Sequence, residues 1–221
     1  QAPARVRLAY DELLADQLAL SIVRATQRKK SGRAIDQDRG LLQKAFASLP
    51  FELTNSQKTS LDEILSDMAE PLRMLRLLQG DVGSGKTVVA YLAMLRAVES
   101  GAQGALMAPT EVLAKQHFKT ISELADGIGV KVGILTGRDK GKSREQLLGQ
   151  LATGEISMIV GTHALFQADV QFSDLALAVV DEQHRFGVHQ RLMLTNKGAA
   201  ADMLVMTATP IPRTLMLCAY S

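Results

Sequence analysis

The residues with the most chemical content are Gly80-Asp81-Val82-Gly83-Ser84-Gly85-Lys86-Thr87, which fit the pattern G-x-x-x-x-G-K-[ST]. A polyphosphate needs many donors converging at short range. Glycines let backbone N–H groups turn inward, and the positive end of the helix that follows favours the anion. Lys86 is then placed to reach the β and γ phosphates, and Thr87 to offer its hydroxyl to Mg2+. A plain glycine-rich turn explains the loop but not Lys86 and Thr87 at those offsets. The second candidate is Asp181-Glu182, which closes the apolar run Leu175-Ala176-Leu177-Ala178-Val179-Val180. Ligands of open α/β sheets bind beyond the carboxyl ends of the strands. Asp181 there would hold Mg2+ through its water shell, and Glu182 would polarise an attacking water. Acids also end strands simply because the surface begins there; beside a phosphate loop, nucleotide hydrolysis is the better reading.

These residues need a scaffold, and the pattern from residue 51 onward supplies one. Short apolar runs alternate with helical segments, as in βαβ units and a parallel sheet. Strands are expected at Met74 to Leu78, Gly104 to Ala108, Val130 to Leu135, Ile156 to Val160, Leu175 to Val180 and Met203 to Met206. Helices are expected near Gln57 to Met68, Val88 to Ser100, Glu111 to Ala125, Arg144 to Ala152 and His189 to Asn196. Upstream, Leu14, Leu18, Ile22 and Ala25 recur at helical spacing, which predicts a long amphipathic helix over residues 8–25. A polar stretch then leads to a short helix near Leu41 to Ala47, and Pro50 marks the start of the main domain. The expected division is thus 1–49, a helical linker, and 50–221, the nucleotide-binding domain.

Composition narrows the class. With 221 residues, 47% hydrophobic and 22% charged, the chain can bury a sizeable core, which excludes a disordered or collagen-like protein. The single cysteine, Cys218, excludes an internal disulfide framework, and the longest apolar run is far shorter than the about 20 residues of a membrane span. A reducing, cytoplasmic setting without membrane contact is expected. The first fifty residues hold nine Lys or Arg against five acids, although the net charge is only +2. The cluster Arg28-Lys29-Lys30 could meet phosphate or an acidic neighbour, but taken alone it reads as a solvated helix end. A start at Gln1 and an end at Ser221 suggest a piece of a longer protein.

Asp181-Glu182-Gln183-His184-Arg185-Phe186-Gly187-Val188 resembles motif II of superfamily 2 helicases, in the form found in RecG-type ATP-dependent DNA helicases. Leu78 to Thr87 resembles that family's motif I, and Ala108-Pro109-Thr110-Glu111-Val112-Leu113-Ala114-Lys115-Gln116-His117 its motif Ia. Gly161-Thr162-His163-Ala164-Leu165-Phe166 also matches, as does Thr207-Ala208-Thr209-Pro210-Ile211-Pro212-Arg213-Thr214, the latter as motif III. Transcription-repair coupling translocases are similar but usually carry Glu where this chain has Gln183.

The resemblance implies an α/β, RecA-like P-loop domain with a central, mostly parallel sheet, serving as the first motor lobe behind a helical linker. It also implies a wedge domain and a second RecA-like lobe elsewhere in the full protein. The partners implied are branched DNA, at forks and Holliday junctions in bacterial repair and recombination. Gln183, His184, Thr207 and Thr209 would couple hydrolysis to movement, and an arginine finger would come from the second lobe. Gln57 matches the family's adenine-reading glutamine, with Phe51 able to stack on the base; Thr54-Asn55-Ser56-Gln57 fits a capping box equally well.

Thr110 precedes a helix and could grip a DNA phosphate or simply cap that helix. Arg138, Lys140, Lys142 and Arg144 form a basic loop that could track a nucleic-acid backbone or stay solvated. Thr162 matches by motif alone. Arg185 and Phe186 could relay DNA contact to the nucleotide, unless Phe186 only anchors its loop. A translocase that displaces another protein from duplex DNA, and a nucleotide-gated binding module that never cycles, are the alternatives.

Overall fold

The computed structural model describes residues 32–181 and 201–208. The expected helices over residues 8–25 and His189 to Asn196 lie outside the described residues, as do Glu182, Gln183, His184, Arg185, Phe186 and Thr209. The elements are α1 (Leu41–Ser48), α2 (Asn55–Met68), β1 (Leu75–Gln79), α3 (Lys86–Glu99), β2 (Gln103–Met107), α4 (Glu111–Asp126), β3 (Val132–Leu135), α5 (Gly141–Ala152), β4 (Met158–Gly161), a 3-10 turn (His163–Phe166), β5 (Leu175–Asp181) and β6 (Asp202–Thr207). Among the described residues six strands form one sheet in the order β1-β6-β5-β2-β4-β3, and every pairing is parallel. All six expected strands are present.

The sheet is covered on both faces, which is why its strands read as unbroken apolar runs. Successive residues of β5 serve opposite sides. Leu177 and Val179 belong to the core shared with α3 and α4, whereas Ala178 and Val180 join Leu151, Ile159, Leu165 and Phe166 on the other face. Helix α3 is buried all round from Val88 to Leu95, as expected of a helix enclosed by other elements. Ile35, Leu42 and Ala45 enter the same core, so the compact unit begins at Gly32. The short helix α1 therefore packs with the domain that Pro50 was expected to open.

Glu99, at the end of α3, explains how α1 is held. Its buried Oε1 accepts from the backbone N–H groups of Leu41 and Leu42, doing for α1 what a capping side chain would do, while Arg96 lies 3.3 Å from Oε2. Gly40, the residue that precedes the helix, has no side chain for that task.

Asp202 opens β6 at 1% exposure, with Oδ1 accepting from Met74 N–H at 2.7 Å and Oδ2 buried with no hydrogen-bond partner among the described residues. Burial pushes its carboxyl up to about 7, and nearby Asp67 adds to the shift; the Met74 bond, Arg33 and Arg73 oppose it. Below about pH 4 the group is protonated in the folded and unfolded chain alike. As pH rises from about 4 to about 7 the unfolded chain ionises first, and stability falls. Asp202→Asn keeps the acceptor for Met74 and removes the charge. Its melting temperature is expected to exceed that of the parent by several degrees at pH 8, with the gap closing toward pH 4. Thermal unfolding at the two pH values checks this; a gap that does not change with pH would contradict it.

Candidate functional site

Because β1, β6 and β5 are parallel neighbours, their carboxyl ends meet along one edge of the sheet. Gln79 pairs with Thr207, and Asp181 with Met206, so the phosphate loop, Thr207 and Asp181 are brought together by register alone. Gly80 N–H donates to the Thr207 carbonyl at 3.2 Å, tying the start of the loop to the end of β6.

The loop turns into α3 at Gly85, whose φ of 81° is left-handed and which precedes the helix without a side-chain cap. A side chain at Gly85 would meet Gln57 Nε2 at 2.3 Å, so this position requires glycine twice over. The first N–H groups of α3 are left to a ligand rather than to a capping side chain. The Lys86 ammonium is folded into the loop, donating to the carbonyls of Gly80 at 2.5 Å and Asp81 at 2.9 Å. Val82 stands at the loop tip, 90% exposed.

Of the two arrangements expected of Gln57, the structure contains the capping one. The capping box with Thr54 is formed, and the amide also reaches across to donate from Nε2 to the Ser84 carbonyl at 2.8 Å. An amide has two N–H donors and two carbonyl lone pairs, so one of each remains for a base edge. Phe51 is 46% exposed, as a ring available for stacking must be.

The residue that sequence reasoning passed over is His117. Its Nε2 lies 2.7 Å from Asp181 Oδ2, and its Nδ1 lies 3.3 Å from Thr87 Oγ1. One ring thus connects the two side chains expected to serve Mg2+. His117 falls on the face of α4 that includes the fully buried Ala114 and Ile121, three residues before and four after it. A histidine on that stripe was the available signal. Mg2+ is bound through one or two carboxylates together with substrate phosphates, not through an all-protein cage. A hydroxyl and a carboxylate held beside a phosphate loop fit that donor set. Among the described residues there is no cluster of three or more His, Cys, Asp or Glu that could hold a metal by itself.

The remaining candidates are spread more widely. Thr110 caps α4, with Oγ1 accepting from Leu113 N–H at 3.3 Å; its hydroxyl proton is still available to a phosphate. Arg138 is 83% exposed in its side chain and pairs with Glu111 at 3.0 Å, joining the loop after β3 to the first turn of α4. Such a surface pair is worth about 0–1 kcal/mol, so a phosphate can displace the Glu111 carboxylate. Arg144 is held by Gln167 and Asp169, whereas Lys140 and Lys142 are exposed. Thr162 is 2% exposed, and its hydroxyl caps the 3-10 turn by accepting from Ala164 N–H at 3.5 Å. That burial accounts for the threonine by local structure. Thr207 is fully buried behind the loop. No helix among the described residues is long and apolar enough to cross a membrane.

Residues 54–217 match the family model described as DEAD/DEAH box helicase. Over 223 residues the chain is 52% identical to the ATP-dependent DNA helicase RecG of Pasteurella multocida, covering 99% of this chain and 32% of that protein. It is 51% identical to RecG of Bacillus subtilis, over 98% of this chain and 32% of the relative. The chain therefore spans about a third of the length of these relatives. Among solved structures, RecG bound to a three-way DNA junction superposes with a TM-score of 0.84 at 46% identity, over 98% of this chain and 29% of that one. A hypothetical ATP-dependent RNA helicase of Sulfolobus tokodaii gives 0.61 at 17% identity, over 81% of this chain and 53% of that one, a likeness of fold. The six-stranded parallel sheet with its flanking helices is the RecA-like helicase fold.

Proposed function

The chain belongs to the DEAD/DEAH box helicase family, and from that premise we propose that it is the first motor lobe of a RecG-type ATP-dependent DNA helicase, acting on branched DNA in the bacterial cytoplasm. The observation that carries this reading is the edge where the phosphate loop, Thr207 and the Thr87–His117–Asp181 linkage converge. The relatives named RecG, and the RecG structure with a three-way junction, support the choice of DNA over RNA and of junctions over plain duplex.

In this reading the Lys86 ammonium leaves the Gly80 and Asp81 carbonyls for the β and γ phosphates, while the N–H groups at the start of α3 hold the remaining oxygens. Thr87 and Asp181 hold Mg2+, which when bound neutralises charge developing on the phosphates. Glu182, next in the chain after Asp181, orients and polarises the water. Gln57 reads adenine with the donor and lone pair its capping box leaves over, and Phe51 stacks on the base. Thr207, the first residue of motif III, receives the state of the loop through the Gly80 bond, with Thr209, Gln183 and His184 acting beside it. Thr110 and Arg138 take DNA phosphates without reading sequence, and Arg185 and Phe186 relay that contact. Thr162 supports this surface from beneath as the cap of its turn. The segment ahead of Gly32, within the 1–49 stretch expected as a linker, joins the lobe to a wedge domain, and a second RecA-like lobe closes over the nucleotide. Forks and Holliday junctions are the substrates.

The test is steady-state ATP hydrolysis by the full-length protein, titrated with a three-way junction and separately with linear duplex of equal length. One salt concentration must be kept, because phosphate contacts set the affinity. Half-maximal stimulation at a much lower concentration of junction is expected. Equal response to linear duplex would leave the motor in place and remove the fork-remodelling role.

A further inference from the structure

We propose that His117 is a positioning residue that fixes Thr87 and Asp181 as one metal-binding pair and ties that pair to helix α4. The inference rests on the reading of these two side chains as the Mg2+ site. An ionised carboxylate can only accept, so the 2.7 Å contact with Asp181 Oδ2 places the ring proton on Nε2. In the neutral ring Nδ1 then accepts from the Thr87 hydroxyl, 3.3 Å away. This polarity has a consequence for the metal. With its proton given to Nδ1, the Thr87 oxygen keeps its lone pairs for a cation, and with Oδ2 engaged, Asp181 retains Oδ1 to offer.

Neither ligand could be held this way by its own element. Thr87 is the second residue of α3 and Asp181 the last of β5, and α4, which carries His117, packs beside both α3 and the sheet. The ring is nearly enclosed, with side-chain exposures of 12% for His117 and 10% for Asp181, so water competes poorly for these bonds. Outer partners that orient metal ligands contribute about 10–100-fold in metal affinity, which sets the size of the expected effect.

The experiment is binding of a fluorescent ADP analogue to the full-length protein without DNA, followed as a function of Mg2+ concentration and, separately, in EDTA. For His117→Ala the Mg2+ concentration giving half-maximal tight binding is expected to rise about 10–100-fold, with binding in EDTA unchanged. His117→Gln, which returns a donor near the Nε2 position, is expected to recover most of the loss. His117→Asn, which places its amide near Nδ1 and loses the Asp181 bond, is expected to stay impaired. If His117→Ala does not fold, the contrast between Gln and Asn carries the same test. A Mg2+ midpoint within about twofold of the parent for His117→Ala, or equal behaviour of the Gln and Asn variants, overturns the proposal. Failure of the underlying reading looks different: the parent protein itself would then bind the nucleotide without regard to Mg2+.

Discussion

Replacing Lys86 by alanine is expected to lower the ATP turnover of the full-length protein by about 10²–10³-fold, the usual consequence of removing one donor aimed at developing charge. The geometry makes this residue hard to substitute. Its ammonium reaches 2.5 Å from the Gly80 carbonyl inside a loop closed on the other side by Gln57, whose amide holds the Ser84 carbonyl. A guanidinium is planar and wider than an ammonium and cannot occupy that point, so Lys86→Arg is expected to be nearly as impaired as Lys86→Ala. The fold should survive both changes, since Lys86 is the first residue of α3 and its side chain is only half-buried. Steady-state hydrolysis with saturating junction DNA, alongside a melting curve, checks the prediction. Full turnover by Lys86→Ala would mean that the loop holds nucleotide without acting on it. Glu182→Gln addresses the same question from the water side: loss of function with Lys86→Ala but not with Glu182→Gln would mark a nucleotide-gated binding module.

What the sequence revealed and what it hid divide along a physical line. Strands were legible because burial on both faces demands continuous apolar runs, as in Leu175 to Val180, and helices because Leu61, Ile64 and Met68 recur at helical spacing. Element starts were less legible. Helix α5 begins at Gly141, three residues before the expected Arg144, because Gly141 accepts a φ of 65° at a position where glycine reads as a break. The phosphate loop was fully legible, since its chemistry resides in consecutive residues. His117 was not: its meaning depends on Thr87, 30 residues away, and Asp181, 64 residues away, and only the packing of α4 beside α3 and the sheet reveals it. The same holds for the bond from Gln57 to Ser84 and for Arg138 with Glu111, where nothing in the sequence hinted that the two residues meet.

Residues 1–221 alone are expected to bind nucleotide yet hydrolyse it about 10³–10⁵-fold more slowly than the full-length protein, the range attributed to an arginine finger. Charge spreads over the transferred phosphoryl oxygens in the transition state, and one lysine with one cation leaves part of it unmatched. Several of the described arginines are engaged within the lobe: Arg33 with Asp174, Arg76 with Glu63 and Asp67, Arg96 with Glu99 and Arg144 with Asp169. In the RecG-type reading the missing cation belongs to the second lobe. Single-turnover hydrolysis by the chain and by the full-length protein, each saturated with nucleotide as judged by fluorescent ADP binding, measures the difference directly. Comparable rates would instead assign the finger to this chain, where Arg185, Arg191 and Arg213 lie outside the described residues. Alanine at each of these three, the ones nearest in sequence to Asp181 and Thr207, would be the first test, and the second lobe would be left with DNA binding and movement rather than chemistry.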